Sequence, residues 1–138
     1  MNKRVLSMLT KLAIENPGLQ NRFKLSAGVV YKKNLISTGV NSYKSHPMMK
    51  GPGYNPEQIF MHAEVDAIRN ALRLIPQQEM EKTELYVVRV RRPCGNTKKW
   101  VYGMAKPCAG CMMTIASFNI SKIFWTTDEL EIDNNFII

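Results

Sequence analysis

Two short motifs lie far apart in the chain, His62-Ala63-Glu64 and Pro107-Cys108-Ala109-Gly110-Cys111. They constrain the fold more than any other feature, because their side chains suit one shared purpose. Imidazole and thiolate are ligands that zinc takes in tetrahedral sites. If His62, Cys108 and Cys111 hold one ion, the segment after residue 62 must pack near the segment after residue 107. Cys108 and Cys111 stand at i, i+3 near a helix start, so both sulfurs can lie on one face. The partial positive charge of a helix N-terminus stabilises thiolates there. His62 also opens a helical stretch, so a second helix terminus points at the same ion.

Three protein ligands leave a fourth position for water, which is the catalytic and not the structural arrangement. Zinc lowers the pKa of its bound water to about 7. Glu64 can sit beside the metal without binding it, where a carboxylate can take and return protons. Each piece alone has a plainer reading. A single His before a helix is a polar helix-start residue, and a Glu there is favoured by the helix dipole. A lone C-x-x-C is a redox pair or half of a zinc finger. The conjunction is more specific, because it needs the order, the offset of His and Glu, and Pro directly before the first Cys. A closed four-ligand site would need one more ligand, from Cys94 or His46. No second Cys follows Cys94 at +3, so it reads as a turn cysteine. His46 lies in a loop, where it lines the pocket or is merely exposed.

Residues 1–16 read as an amphipathic helix, with Val5, Leu9 and Leu12 at i, i+4, i+7 and Leu6 and Ala13 widening the stripe. Asn16-Pro17-Gly18 stops it. Residues 23–31 and 35–40, joined by Lys32-Lys33-Asn34, read as a β-hairpin. Residues 41–58 carry Pro47, Gly51-Pro52-Gly53 and Pro56 and read as a long loop, a kind that is often functional. Residues 62–75 read as a helix apolar on two sides, through Ala63, Ala67, Ala71 and Leu74 and through Val65, Ile68, Leu72 and Ile75, and therefore buried. Residues 84–90 form a strand, 91–99 turn, and 100–104 are extended again. Pro107 opens a third helix over 107–119 as its first residue, with Ile115 and Phe118 as anchors. Residues 122–127 are one more strand, and 130–138 add a last short one. Strands interleaved with helices predict a sheet covered on its faces, in a single domain spanning 1–138.

The three cysteines are an odd set, unlike a secreted disulfide scaffold. The N-terminus starts positive, but Ser7, Thr10, Lys11 and Glu15 interrupt any signal core, and no apolar run suits a bilayer. The expectation is a cytoplasmic protein. The net charge of +8 suits phosphate-bearing substrates or nucleic acid, or else is only a basic solvated surface.

The order H-x-E … P-C-x-x-C is the signature of zinc deaminases of nucleobases. From about residue 23 to 132 the chain resembles the cytidine deaminase superfamily. The resemblance is carried by Gly39-Val40-Asn41, by His62-Ala63-Glu64-Val65-Asp66-Ala67-Ile68, and by Lys106-Pro107-Cys108-Ala109-Gly110-Cys111. Phage and viral deoxycytidylate-deaminase-like proteins are nearest in style. The resemblance implies an α/β fold, a three-layer α/β/α sandwich around a mixed five-stranded sheet. It implies zinc on His62, Cys108 and Cys111, and Glu64 as the catalytic proton shuttle. The implied reaction converts a cytosine nucleoside or nucleotide (cytidine, deoxycytidine or dCMP) to the uracil product with release of ammonia. Asn41 matches by position an Asn that contacts the substrate sugar in relatives; its plainer role is to end a strand. The backbone of Ala63 matches the residue that meets the base. Relatives often complete pockets across subunits, which implies a homo-oligomer.

Two departures bear on the substrate. Residues 91–102 resemble an inserted β-hairpin in which Arg89, Arg91, Arg92, Lys98 and Lys99 interleave with Trp100 and Tyr102. Such a string can grip a phosphate or a single strand, or form a solvated hairpin or an oligomer contact. The chain also ends soon after 122–127, where relatives acting on transfer RNA or single-stranded DNA usually carry helical extensions, and this tilts the reading towards a small substrate. The alternatives are a deaminase of RNA or single-stranded DNA, a purine-base deaminase, and a non-catalytic binding protein stabilised by zinc.

Overall fold

A computed structural model describes residues 2–16, 23–41, 62–92 and 100–128. Helix α1 runs Lys3–Glu15, a little shorter than the expected 1–16. Asn2 caps its start, its side-chain oxygen accepting from the main-chain N–H of Arg4 and of Val5 at 2.9 and 3.3 Å. Val5, Leu9 and Ala13 are buried as the periodicity requires, with Thr10 beside them.

Strands β1 (Phe23–Tyr31) and β2 (Asn34–Val40) form the expected antiparallel hairpin. Its turn is tighter than the sequence suggests, because Asn34 belongs to β2. Lys32 and Lys33 span it with φ of 50° and 68°. Two positive φ values give a turn whose twist matches that of the strands, which offsets the cost of lysine there.

Strand β3 (Glu84–Arg91) lies at the centre and pairs antiparallel with β1. Its other edge is shared by two strands. Strand β5 (Lys122–Trp125) runs parallel to the first half of β3, from Glu84 to Val87. Strand β4 (Val101–Gly103) runs antiparallel to the second half, from Arg89 to Arg91. The result is a mixed five-stranded sheet. The antiparallel β3–β4 pair joins the strands expected on either side of the turn over 91–99; residues 93–99 lie outside the described residues.

Alternation along β3 sorts the core into two layers. Tyr86, Val88 and Val90 face α1 with Val5, Leu9, Ala13 and Tyr102. Leu85 and Val87 face the other side, where helices α2 (Ala63–Ala71) and α3 (Ala109–Ser117) supply Ala63, Ala67, Ile68, Ala71 and Ile115. The architecture is the α/β/α sandwich, with α1 on one face and α2 and α3 on the other.

Several expectations need correction. The second helix stops at Ala71 and not at residue 75, its last turn loosening over Leu72–Leu74. Leu74 is consequently 65% exposed, although the helical pattern placed it in the core. A short 3-10 helix, Gln77–Lys82, follows, which propensity did not suggest. Pro107 does not start α3; Cys108 is the cap, with extended backbone angles, and Pro107 precedes it. The loop over 42–58, including His46, lies outside the described residues, as do Cys94 and the strand expected over 130–138. No helix among the described residues is long and apolar enough to cross a membrane.

Candidate metal centre

Helices α2 and α3 begin at the same end of the sheet, and their caps are His62 and Cys108. His62 takes extended backbone angles, and its imidazole makes no capping bond to its own helix. It reaches α3 instead, with Nδ1 3.1 Å from Cys111 Sγ and 3.5 Å from Cys108 Sγ. Cys108 caps α3, its sulfur accepting from the Cys111 N–H at 3.4 Å. The ligand atoms of His62, Cys108 and Cys111 all lie within 4.8 Å of one another. Two ligands bound tetrahedrally at zinc–sulfur and zinc–nitrogen distances stand roughly 3.5–3.8 Å apart. Donor set and spacing therefore fit one zinc ion, and these three residues are positioned to bind it.

The electrostatics suit that role. The Cys108 thiol is pushed down to about 4, first by its hydrogen bond with Cys111 and then by the one with His62, against the opposing effect of burial. It is thus poised as thiolate, the form that binds metal. The same hydrogen bond to Cys108 holds the His62 imidazole above its ordinary value. Glu64 sits in the first turn of α2 and is 4% exposed. Burial raises its carboxyl above the usual range, partly opposed by its own backbone N–H and by the charge of His62. A carboxyl group buried beside a metal-ligand cluster, with its affinity for a proton raised, is the kind of perturbation that gathers at functional sites.

Two bracing systems hold the helix starts. For α2, Asp66 Oδ2 accepts from the Val40 N–H at 3.1 Å, and Asp66 Oδ1 pairs with Arg69 at 2.9 Å. Gly39 lets β2 and α2 touch. A Cβ there would overlap the Ala67 nitrogen and lie 2.5 Å from the Ala63 carbonyl oxygen. For α3, the segment leaving β4 is tied to Thr126. The Ala105 N–H donates to the Thr126 carbonyl at 2.9 Å, and the Thr126 hydroxyl donates to the Gly103 carbonyl at 2.8 Å. Sequence reasoning missed Thr126 and saw Gly39 and Asp66 only inside longer matches. Asp66 left a weak signal, as a first-turn acid three residues before an arginine.

Asn41 directly follows β2, at the end of the sheet where α2 begins, and is 8% exposed. Ala63 is buried in the first turn of α2. On β4, Tyr102 is buried and its hydroxyl is 2.7 Å from Thr10 Oγ1. Trp100 is half-buried, with Arg92 4.4 Å and Lys24 5.6 Å from its ring. Arg91 faces Asp128 at 3.9 Å. Lys98 and Lys99 lie outside the described residues.

The family model described as the cytidine and deoxycytidylate deaminase zinc-binding region matches residues 1–127. No curated protein matches the chain.

Proposed function

The chain belongs to the cytidine and deoxycytidylate deaminase zinc-binding family, and from that premise we propose that it hydrolytically deaminates a free cytosine nucleoside or nucleotide, with Glu64 as the catalytic proton carrier. The observation that carries this is the placement of Glu64. Its carboxyl group is buried in the first turn of α2, two residues from His62, and its affinity for a proton is raised by that burial. Bound zinc supplies the Lewis acidity that makes water nucleophilic near neutral pH. Glu64 takes the proton from the attacking water, passes it to the ring nitrogen, and returns a proton to the departing amine. One C–O bond forms, the C–N bond breaks, and water is exchanged for ammonia. Ala63 offers its main chain to the base, and Asn41 contacts the sugar.

A small substrate is favoured by how the hairpin spends its groups. Tyr102 is turned into the core, Arg91 faces Asp128, and Arg89 donates to the Met104 carbonyl at 3.4 Å. Little of the basic and aromatic string described there is left for a strand to lie on. The second reading, a polymer substrate, is favoured by Trp100 with Lys24 and Arg92 about its ring. Stacking on such a ring is how single strands are often held.

The test is conversion of amino to keto, followed by mass, on cytidine, deoxycytidine, CMP, dCMP, adenosine, guanine and a short single strand. Turnover of one free pyrimidine is expected. Glu64→Ala is expected to keep its zinc and lose at least about a hundredfold in rate. Turnover of the strand alone, falling steeply with salt, would favour the polymer reading. An active Glu64→Ala enzyme would refute the assigned proton carrier. The same proposal takes the protein as a cytoplasmic assembly of identical copies, and sedimentation of the purified protein tests the assembly.

A further inference from the structure

Asn16 ends α1 and leaves the helix with extended backbone angles. Asn41 follows β2 at the site end of the sheet. The two side chains meet in the interior, with exposures of 3% and 8%. Their orientation is decided by partners whose roles are not in question. The Leu25 N–H can only donate, and it lies 3.0 Å from Asn41 Oδ1, so that atom must be the oxygen. The Asn41 main-chain carbonyl can only accept, and it lies 3.0 Å from Asn16 Nδ2, so that atom must be the nitrogen. Asn16 Nδ2 also reaches Asn41 Oδ1 at 3.1 Å. Turning the Asn41 amide over would set its NH2 against two donors. Turning the Asn16 amide over would set oxygen against two oxygens. The two amides therefore lock each other.

An amide oxygen has two lone pairs, and Asn41 Oδ1 accepts twice within this lock. The group that Asn41 can offer a ligand is Nδ2, a donor. We propose that Asn16 is a positioning residue that holds Asn41 in this orientation, so that the site grips its substrate there through an acceptor oxygen of the kind a nucleoside sugar carries. This rests on the reading of Asn41 as the sugar contact. It also gives α1, on the opposite face of the sheet from α2 and α3, a part in substrate selection.

The test is steady-state kinetics of Asn16→Ala, Asn16→Asp, Asn41→Ala and the double variant Asn16→Ala/Asn41→Ala. The substrate is whichever of cytidine, deoxycytidine, CMP and dCMP the wild type converts fastest, with zinc content and melting temperature recorded. Each single substitution is expected to raise KM about tenfold, with kcat and zinc content near wild type. The double variant is expected to be no worse than Asn41→Ala, because Asn16 acts through Asn41. Asn16→Asp is nearly isosteric and guards against loss of folding; its second oxygen faces the oxygens of Asn41, so KM rises at least as far. Asn16 variants that melt earlier but keep the wild-type KM would overturn the inference and leave the role of Asn41 standing. A wild-type KM in Asn41→Ala would overturn that role and the inference with it.

Discussion

Thr126 is fully buried just past β5, and each of its polar atoms has a partner. Its N–H donates to the Val87 carbonyl at 3.1 Å and its carbonyl accepts from Ala105. Its hydroxyl donates to Gly103 and accepts from the Arg89 N–H at 3.1 Å. The residue fills the place where β4 and β5 abut along one edge of β3, and it ties down Gly103 and Ala105, a few residues before Cys108. Thr126→Val keeps the shape and removes the hydroxyl that the Arg89 N–H and the Gly103 carbonyl share. The expected cost is about 1–3 kcal/mol, seen as a lower melting temperature, together with weaker zinc binding in a metal titration. Thr126→Ser, which keeps the hydroxyl, should bind zinc as the wild type does. A valine variant equal to wild type in both measurements would remove Thr126 from the account. Sequence reasoning had no means of finding Thr126, because its partners lie on β3, on β4 and on the segment that leaves β4. Tyr102 shows the converse. Read as one of the hairpin's available aromatics, it is a core residue whose hydroxyl meets Thr10.

The elements were largely legible, and their ends were not. Apolar spacing placed α1 within a residue or two, because one stripe of Val5, Leu9 and Ala13 meets one sheet face. It overran α2, because an apolar pattern continues through Leu72 and Leu74 whether or not a helix does. What decides the start of α2 is its contact with β2. Gly39 meets the main chain of Ala63 and Ala67 so closely that a methyl group has no place. Those atoms belong to a helix backbone and cannot turn aside as a flexible side chain would. Gly39→Ala is therefore expected to push α2 outward, at about 1–3 kcal/mol, and to weaken zinc binding as His62 moves with it. Thermal melting and a metal titration check this; unchanged zinc affinity would mean that the helix start is held mainly by Asp66 and Val40.

At the scale of the molecule, the metal ligands join two helices of one layer that belong to distant parts of the chain. Ile115 of α3 and Ala63, Ala67 and Ile68 of α2 share one core cluster, and His62, Cys108 and Cys111 sit at the same end of it. Ion binding should thus stabilise the whole fold, since the ion binds the folded chain far better than the unfolded one. Treatment with a chelator is expected to lower the melting temperature by on the order of ten degrees, for an ion present at about a thousand times its dissociation constant. Cys108→Ser should melt early as well, and the chelator should then have little further effect. A melting temperature indifferent to both would show that the ion is not a structural tie.

The sequence alone pointed to the metal-ligand set, the carboxyl group beside it and the layered class of fold. Those follow from local chemistry: two thiols one helical turn apart, an imidazole and a carboxyl group at a helix start, and apolar residues at the periods of helix and strand. Tertiary structure decided which residues brace that chemistry and how they face. Gly39, Asp66 and Thr126 act through contacts across β2, β3, β4 and β5, and Asn16 meets Asn41 across the end of the sheet. Such roles depend on burial and on partners remote in sequence, and the order of residues does not encode them locally. A buried amide or hydroxyl acquires its function from the one neighbour that can satisfy it, and only the folded chain supplies that neighbour.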